Sequence, residues 1–478
     1  MNSKKYIKTT IIIKSEKNIP ARTAIVPNEF IDKLKNYTNT TITFGQKKFP
    51  VKFIPGEKKD LIELSSDVIE NLNIYEGTKI LSKLEEGDLK LGPLVGVFIN
   101  AKALRYLKRG RPTIKTAEMI HSAMKSKVAL YFFSIDSTNF LNDTVNAMCF
   151  NPKTHEWEKK IMPSPDILYD RGGGFSRKGR IKANFLRKKI SHIKKVNAQH
   201  YFDKLDLHES LSKYQEMLPH IPETISCNKN TNNISYMLEK HSVIYLKKLR
   251  GSTGKGIIRV RKKGESLCEC SYFSTGYVKE YAKSINELEL LINKELKDNN
   301  FIIQQGIDVL TYKDNKIDLR VLAQKDISGK WQITSIPVRF AINDCPITST
   351  RSGARVYTFE NAFYDILKYH KDQVESIRSD ILKLTFTSIK ILEKEYGNFG
   401  EIGIDIAIDK NHHPWFIESN AKPAKDTILI SGSRLDIEKA FDMPFEYCKY
   451  LMGYCNPKNN YWDGWWTEEE IYEEDDEE

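Results

Sequence analysis

From Gly403 to Pro423 the chain reads GIDIAIDKNHHPWFIESNAKP, and its first half alternates strictly. Ile404, Ile406 and Ile408 fall on one side, Asp405, Ala407 and Asp409 on the other. A period of two predicts a half-buried strand. Residues 409–414 have turn chemistry, and Trp415-Phe416-Ile417 opens a second strand. A hairpin centred between Asn411 and His412 sets position 405 directly opposite position 418. Asp405 and Glu418 then form a cross-strand pair, with Asn420 on the same face. Opposed carboxylates repel, so something must compensate them. Two carboxylates and an amide carbonyl are hard oxygen ligands, suited to Mg²⁺ or Mn²⁺ held together with phosphate. An exposed hairpin with both acids in water fits this stretch equally well.

The remaining patterns set the context. Up to about residue 90 the chain predicts short strands and little helix: Tyr6 to Lys14, Thr41 to Phe44 and Val51 to Ile54, the last two joined as a hairpin through Gly45 to Pro50. Ser65 to Leu72 has an N-cap serine and helical spacing. At Leu91 the pattern changes. Leu94 to Ile99 and Val128 to Phe133 are continuous apolar runs of the kind buried on both faces of a parallel sheet, with amphipathic sequence between them. Pro165 to Arg171 predicts a further strand, and Gly172-Gly-Gly174 lacks dinucleotide-binding spacing. A helical region starts at Asp203-Lys204 and closes at Pro219 and Pro222. Next come a strand from His241 to Leu249, the glycine-rich loop Arg250 to Gly256, and a strand from Ile257 to Arg261. Such a loop can close over phosphates but is not a Walker loop, and a plain hairpin turn is the commoner use of it. Further on, the pattern predicts a surface helix over 280–296 and strands over 301–307, 317–323 and 331–340, with Asp318 and Arg320 on one face and Arg339 in the last strand. A long amphipathic helix over 361–396 then leads into the hairpin.

Composition adds limits. Across 478 residues, 40% are hydrophobic and 29% charged, which allows about three domains of ordinary globular make-up. No window is apolar enough to span a membrane, and the run Ile11 to Ile13 is too short for a signal peptide. Seven scattered cysteines form no zinc pattern and suit a reducing, cytoplasmic compartment. Nine acids fill the stretch Glu468 to Glu478, leaving the chain before them with 74 basic and 54 acidic residues, a net of +20. That suits a polyanionic ligand, an acidic surface or nucleic acid, although the basic stretches lack the interleaved aromatics of a nucleic-acid module. Trp462, Trp465 and Trp466 stand just before the acids. They read as a docking segment or as aromatics packed on the chain's own surface.

With these residues in view, the order of features from Lys204 to Pro423 resembles the ATP-grasp superfamily, and within it the endospore-coat-associated proteins of the YheC/YheD type. LGPLVGVFI, PDILYDRG, LKKLRGSTGKGI, FIIQQGIDVL, DLRVLAQKD, GEIGIDIAID and PWFIESNAKP carry the resemblance from about residue 91 onward. It implies a multidomain α+β and α/β chain: a β-rich N-terminal domain over 1–90, a small α/β pre-ATP-grasp domain over 91–200, an ATP-grasp domain over 201–455 with a lid subdomain at about 225–300, and a tryptophan-containing acidic tail over 456–478. By the same resemblance, Lys204 reaches the phosphates of ATP, Lys247 lies beside the adenine and α-phosphate, and Gly251, Ser252, Gly254 and Gly256 belong to the lid loop. Gln304, Gln305, Gly306 and Ile307 form the hinge beside adenine. Arg320 and Arg339 face the transferred phosphate, and Asp405, Glu418 and Asn420 ligate Mg²⁺ or Mn²⁺. The implied activity is an ATP-dependent ligase that activates a carboxylate as an acyl phosphate for attack by an amine, on a peptide or coat protein of the spore. Three departures stand out: Lys247-Lys248 where the family tends to have Lys-Pro, Thr348-Ser349 where it has Thr-Asn, and Gly353-Ala354 where it has Gly-Gly. The last two leave open a non-catalytic coat structural or assembly protein whose site is degenerate or only binds ATP.

Overall fold

The computed structural model describes residues 6–139, 143–228, 232–249, 256–296 and 300–454. Gly251, Ser252, Gly254, the tryptophan cluster and the acidic stretch lie outside them. Contacts divide the chain into two compact units. Of the described residues, one holds the chain through Ala198 with Lys325–Lys330 and residues 438–454; the other holds Gln199–Gln324 and Trp331–Ile437.

In the first unit, described strands between Tyr6 and Gly92 make one sheet of eight. The expected hairpin is corrected here. Thr41–Phe44 pairs with Lys47–Pro50 across the two-residue turn Gly45-Gln46, and Lys52–Gly56 crosses instead to Thr23–Pro27. Gly45 takes a left-handed φ of 60°, which such a short turn demands. The continuous apolar runs behave as read. Leu94–Phe98 is buried throughout and lies between parallel partners Ala129–Phe133 and Ile167–Asp170.

In the second unit, a six-stranded antiparallel sheet (Thr224–Asn228, Asn300–Gln305, Val243–Lys248, Ile257–Lys262, Cys268–Phe273, Tyr277–Ala282) packs its apolar face on the helices Asn232–Lys240 and Ile285–Leu296. The helix expected over 280–296 therefore starts only at Ile285, because Tyr277–Ala282 is claimed by the sheet edge. A second sheet runs Arg355–Tyr357, Val338–Phe340, Asn315–Lys325, Glu401–Ile408, Pro414–Asn420, with Trp331–Ser335 also on Asn315–Lys325. The expected single strand 331–340 is thus two, divided at Ile336-Pro337, since Pro337 has no N–H to continue a ladder. The long helix is likewise divided. A π-helical turn, Asn361–Ile366, precedes the α-helix Lys371–Tyr396, whose apolar face covers Ile402, Ile404 and Ile406.

The two sheets of this unit are tied by an ion pair from a tight turn. Asn343 and Asp344 both hold left-handed φ values (52° and 53°), with Cys345 N–H donating to Ile342 C=O at 3.0 Å, as in a type I′ turn. The Asp344 carboxylate accepts both guanidinium ends of Arg259 at 2.8 Å. Arg259 is fully buried. Asp344→Asn keeps the turn but removes the countercharge of that arginine, so urea unfolding is expected to lose about 1–3 kcal/mol, the cost of leaving a buried polar group without its partner. Asp344→Gly relieves the turn yet is expected to remain well below the wild type.

Candidate functional site

The site is built on the central strand Glu401–Ile408 and its neighbours. Expected as half-buried, this strand is buried at every position on both faces. The helix Lys371–Tyr396 covers its isoleucine face, and the opposite face is covered by side chains of the site itself. Asp405 does stand opposite Glu418. The ladder reaches that pairing by a route the alternation did not show. Ile406 pairs with Phe416 and Asp405 with Glu418, so Ile417 is an unpaired bulge. Without it Phe416 and Glu418, two apart, would share a face. With it, Phe416 enters the apolar core and Glu418 joins Asp405. Asn420 pairs with Gly403 on the same face.

The repulsion between the two acids is met by cations from the flanking elements. Arg320 lies opposite Asp405 on the neighbouring strand and grips it bidentately, its Nη2 at 2.8 Å from Oδ2 and its Nε on Oδ1. Arg339 reaches the same carboxylate at 3.4 Å and is itself held by Asp318 at 2.7 and 2.8 Å. Thr348 also donates to Asp318. Lys204, in the first turn of the helix Lys204–Leu211 capped by Asp203, lies 3.3 Å from Glu418. Burial alone would raise the pKa of Glu418; Lys204, Arg320 and Lys247 outweigh it and hold the carboxyl well below the usual range. Burial raises the pKa of Asp318 against the pull of Arg339, while Asp318 and Asp405 keep Arg339 firmly protonated despite its burial.

Lys247 belongs to the six-stranded sheet. Its ammonium donates to Gln304 Oε1 at 2.5 Å, and Gln304 Nε2 donates to Thr224. Burial, then Lys204, brings the Lys247 pKa down to about 8, although Glu418 pulls the other way. A cleft of about 370 Å³, counted to its open mouth, has Lys204, Lys247, Gln304 and Glu418 at one end and Leu207, Ile221, Ile302 and Phe416 along its walls. Of the expected hinge, Gln305 N–H is engaged by Glu223 C=O and Gly306 N–H by Val243 C=O. The arrangement therefore gathers Lys204, Lys247, Gln304, Glu418, Asp405, Arg320 and Arg339; Gly256 is described, with φ 75°, beside Lys248.

Several parts were not visible in sequence. The loop after Asn420 folds back along the strand: a Cβ on Gly403 would come within 2.9 Å of Pro423, and Lys425 meets Glu401 at 2.7 Å. Glu401 also accepts from Gln324, which accepts from Thr334. All four are buried. His220 and His413 stack at 4.6 Å and bond crosswise to the carbonyls of Pro414 and Pro219, at 2.8 and 2.9 Å, stapling the segment before Ile221 to the hairpin. Alternation marked Asp318, but its partner Arg339 is found only through sheet register.

The donor set Asp405, Glu418 and Asn420 suits a hard divalent cation: two carboxylates, one of them held ionised, and an amide oxygen on one face. Among the described residues no group of three or more His, Cys, Asp or Glu could hold a metal ion.

A sequence model described as YheC/D like ATP-grasp matches residues 192–451, more than half of the chain. The chain belongs to this ATP-grasp family. It is similar to the endospore coat-associated protein YheD of Bacillus subtilis (strain 168), 22% identical over 81% of this chain and 85% of that protein. The corresponding protein YheC of the same organism is 26% identical over 64% of this chain and 84% of its own length. Among solved structures it is similar to D-alanyl-alanine synthetase A from Vibrio cholerae O1 biovar eltor, at 10% identity over 76% of this chain and 99% of that one, with a TM-score of 0.46. Multiple mixed sheets with helices agree with the α+β ATP-grasp fold expected from the sequence.

The buried Lys425–Glu401 pair gives a direct check on the loop behind Asn420. Lys425→Met removes the ammonium from a fully buried carboxylate and is expected to lower stability by about 3–5 kcal/mol in chemical denaturation. The double variant Lys425→Met/Glu401→Gln is expected to recover most of that loss.

Proposed function

We propose that this ATP-grasp protein is an ATP- and Mg²⁺-dependent ligase that joins a carboxylate to an amine. The observation that carries the reading is the meeting, on one sheet face beside a half-apolar cleft, of two opposed carboxylates with Lys204, Arg320 and Arg339. The apolar walls suit a nucleobase and the cationic end suits its phosphates. Asp405, Glu418 and Asn420 would hold the metal, which when bound supplies charge neutralisation across the phosphates. Lys204 and Lys247 bind phosphate oxygens, and Gln304 orients Lys247. Arg320 and Arg339, both beside Asp405, supply positive charge to the transferred phosphoryl group. A substrate carboxylate oxygen attacks the γ-phosphorus as the bond to ADP breaks. The amine then attacks the acyl carbon, phosphate leaves, and the nitrogen gives up a proton. Little covalent help from protein is needed; positioning and charge suffice.

The departure at Gly353-Ala354 gives little support to a degenerate site. Gly353 takes the left-handed conformation (φ 86°), and Ala354 does not, so the second glycine has no backbone task there. Ser349 caps the turn Thr350–Ser352 as an asparagine could. The coat-associated names of YheD and YheC motivate a spore-surface peptide or protein as substrate.

In wild type, saturating Mg-ATP is expected to raise the melting temperature, by about 2.7 kcal/mol of stabilisation at a hundredfold excess over Kd. Glu418→Ala is expected to lose that rise; unchanged Mg-ATP affinity in this variant overturns the metal assignment. ADP release with a panel of amino acids and coat peptides tests turnover.

Lys247 sets a pH dependence. Its folded pKa lies below the ordinary lysine value, so its charge is present below about 8 and lost above it. Calorimetric titration should show Mg-ADP affinity falling as pH rises from 7 to 9, and Lys247→Arg should flatten the fall. Without ligand, the same depressed pKa makes Lys247 favour folding more as pH rises beyond 8, since the unfolded chain then binds the extra proton.

A further inference from the structure

The helix Arg177–Lys189, RKGRIKANFLRKK, takes no part in the site described above. Its inner face is Ala183 and Leu186, buried in the core of the first unit. At about 100° per residue, Ile181 and Phe185 project from the opposite side, and both are well exposed, at 65% and 56%. Arg177 and Lys188 flank this apolar pair on one side; Lys178, Lys182 and Lys189 flank it on the other, and all five are exposed. The helix contains no acid.

Stability does not account for this composition. Arg177, Lys178 and Arg180 occupy the first turn, where the helix dipole disfavours cations, and no acid offsets them there. Arg187 turns inward to Asp170 at 2.7 Å, and Lys182 meets exposed Asp136 at 3.1 Å, a surface pair of small worth. The Lys189 ammonium lies over the Phe185 ring, 5.8 Å from its centroid, and the remaining cations are exposed. A convex apolar stripe with cations along both flanks is complementary to a plane that is apolar below and anionic above. That is the interface of an anionic bilayer, where Phe and Ile enter the headgroup boundary and Lys and Arg meet phosphates.

We propose that the outer face of this helix docks the protein peripherally on anionic lipid membranes. Ile181 and Phe185 enter the interface, and Arg177, Lys178, Lys182, Lys188 and Lys189 pair with lipid phosphates. No described helix is long and apolar enough to cross a membrane, so the contact is a surface one. The proposal does not depend on the ligase reading.

Co-sedimentation of the full chain with vesicles tests it. Partitioning onto vesicles of 30% phosphatidylglycerol in phosphatidylcholine is expected to exceed that onto pure phosphatidylcholine by at least about tenfold at 0.05 M salt, and to shrink at 0.5 M. Ile181→Ser/Phe185→Ser and Lys178→Glu/Lys182→Glu, both changes at exposed positions, are each expected to abolish the preference while leaving the melting temperature unchanged. Equal partitioning onto both vesicle types overturns the proposal, as does an undiminished preference in either variant. Binding of duplex DNA or an acidic peptide without vesicle binding, lost in Lys178→Glu/Lys182→Glu, overturns it in favour of a different partner.

Discussion

Everything in the site depends on one electrostatic conflict, the carboxylates of Asp405 and Glu418 held opposite each other on adjacent strands. In a buried sheet such a pair is tenable only with compensating charge. The protein meets this with Arg320 from the next strand, Arg339 one strand further, and Lys204 from a helix N-terminus. Removing any of these cations leaves the acids less compensated. In the proposed function, the same set of charges that keeps the strand foldable is the one that meets metal and phosphate.

The apparatus around this conflict is concerned with holding position. The Ile417 bulge turns Glu418 to the correct face while Phe416 stays in the core. Glu401 and Lys425 fix the loop that follows Asn420, with Gly403 leaving room for Pro423. The crossed histidines fasten the cleft wall at Ile221 to the hairpin, and burial lowers the pKa of His220 against the pull of its hydrogen bond to Pro414. Asp344 and Arg259 tie the sheet that carries Lys247 to the sheet that carries the acids. Each device fixes the position of one segment of the site against another.

Much of this was legible in sequence because it is local. Strict alternation located the Asp405 strand and the Glu418 partner, continuous apolar runs located the parallel strands, and the order of motifs carried the fold. What was not legible is non-local. The sheet's claim on Tyr277–Ala282 overrode helical spacing, and Ile336-Pro337 divided a strand that hydrophobicity alone made continuous. The bulge cannot be seen in alternation, since a two-residue period has no place for an extra residue. Compensation by Arg320 and Lys204, which sequence reasoning left to a metal, required knowing which strands are neighbours.

The central claim is that these charges form a metal-nucleotide site. It is tested most directly by calorimetric titration of the wild-type chain with a non-hydrolysable ATP analogue, in the presence of Mg²⁺ and again in excess chelator. The account predicts one saturable site per chain whose affinity drops at least about tenfold without the metal, a difference of about 1.4 kcal/mol or more. Absence of saturable binding, or an affinity indifferent to Mg²⁺, would contradict it.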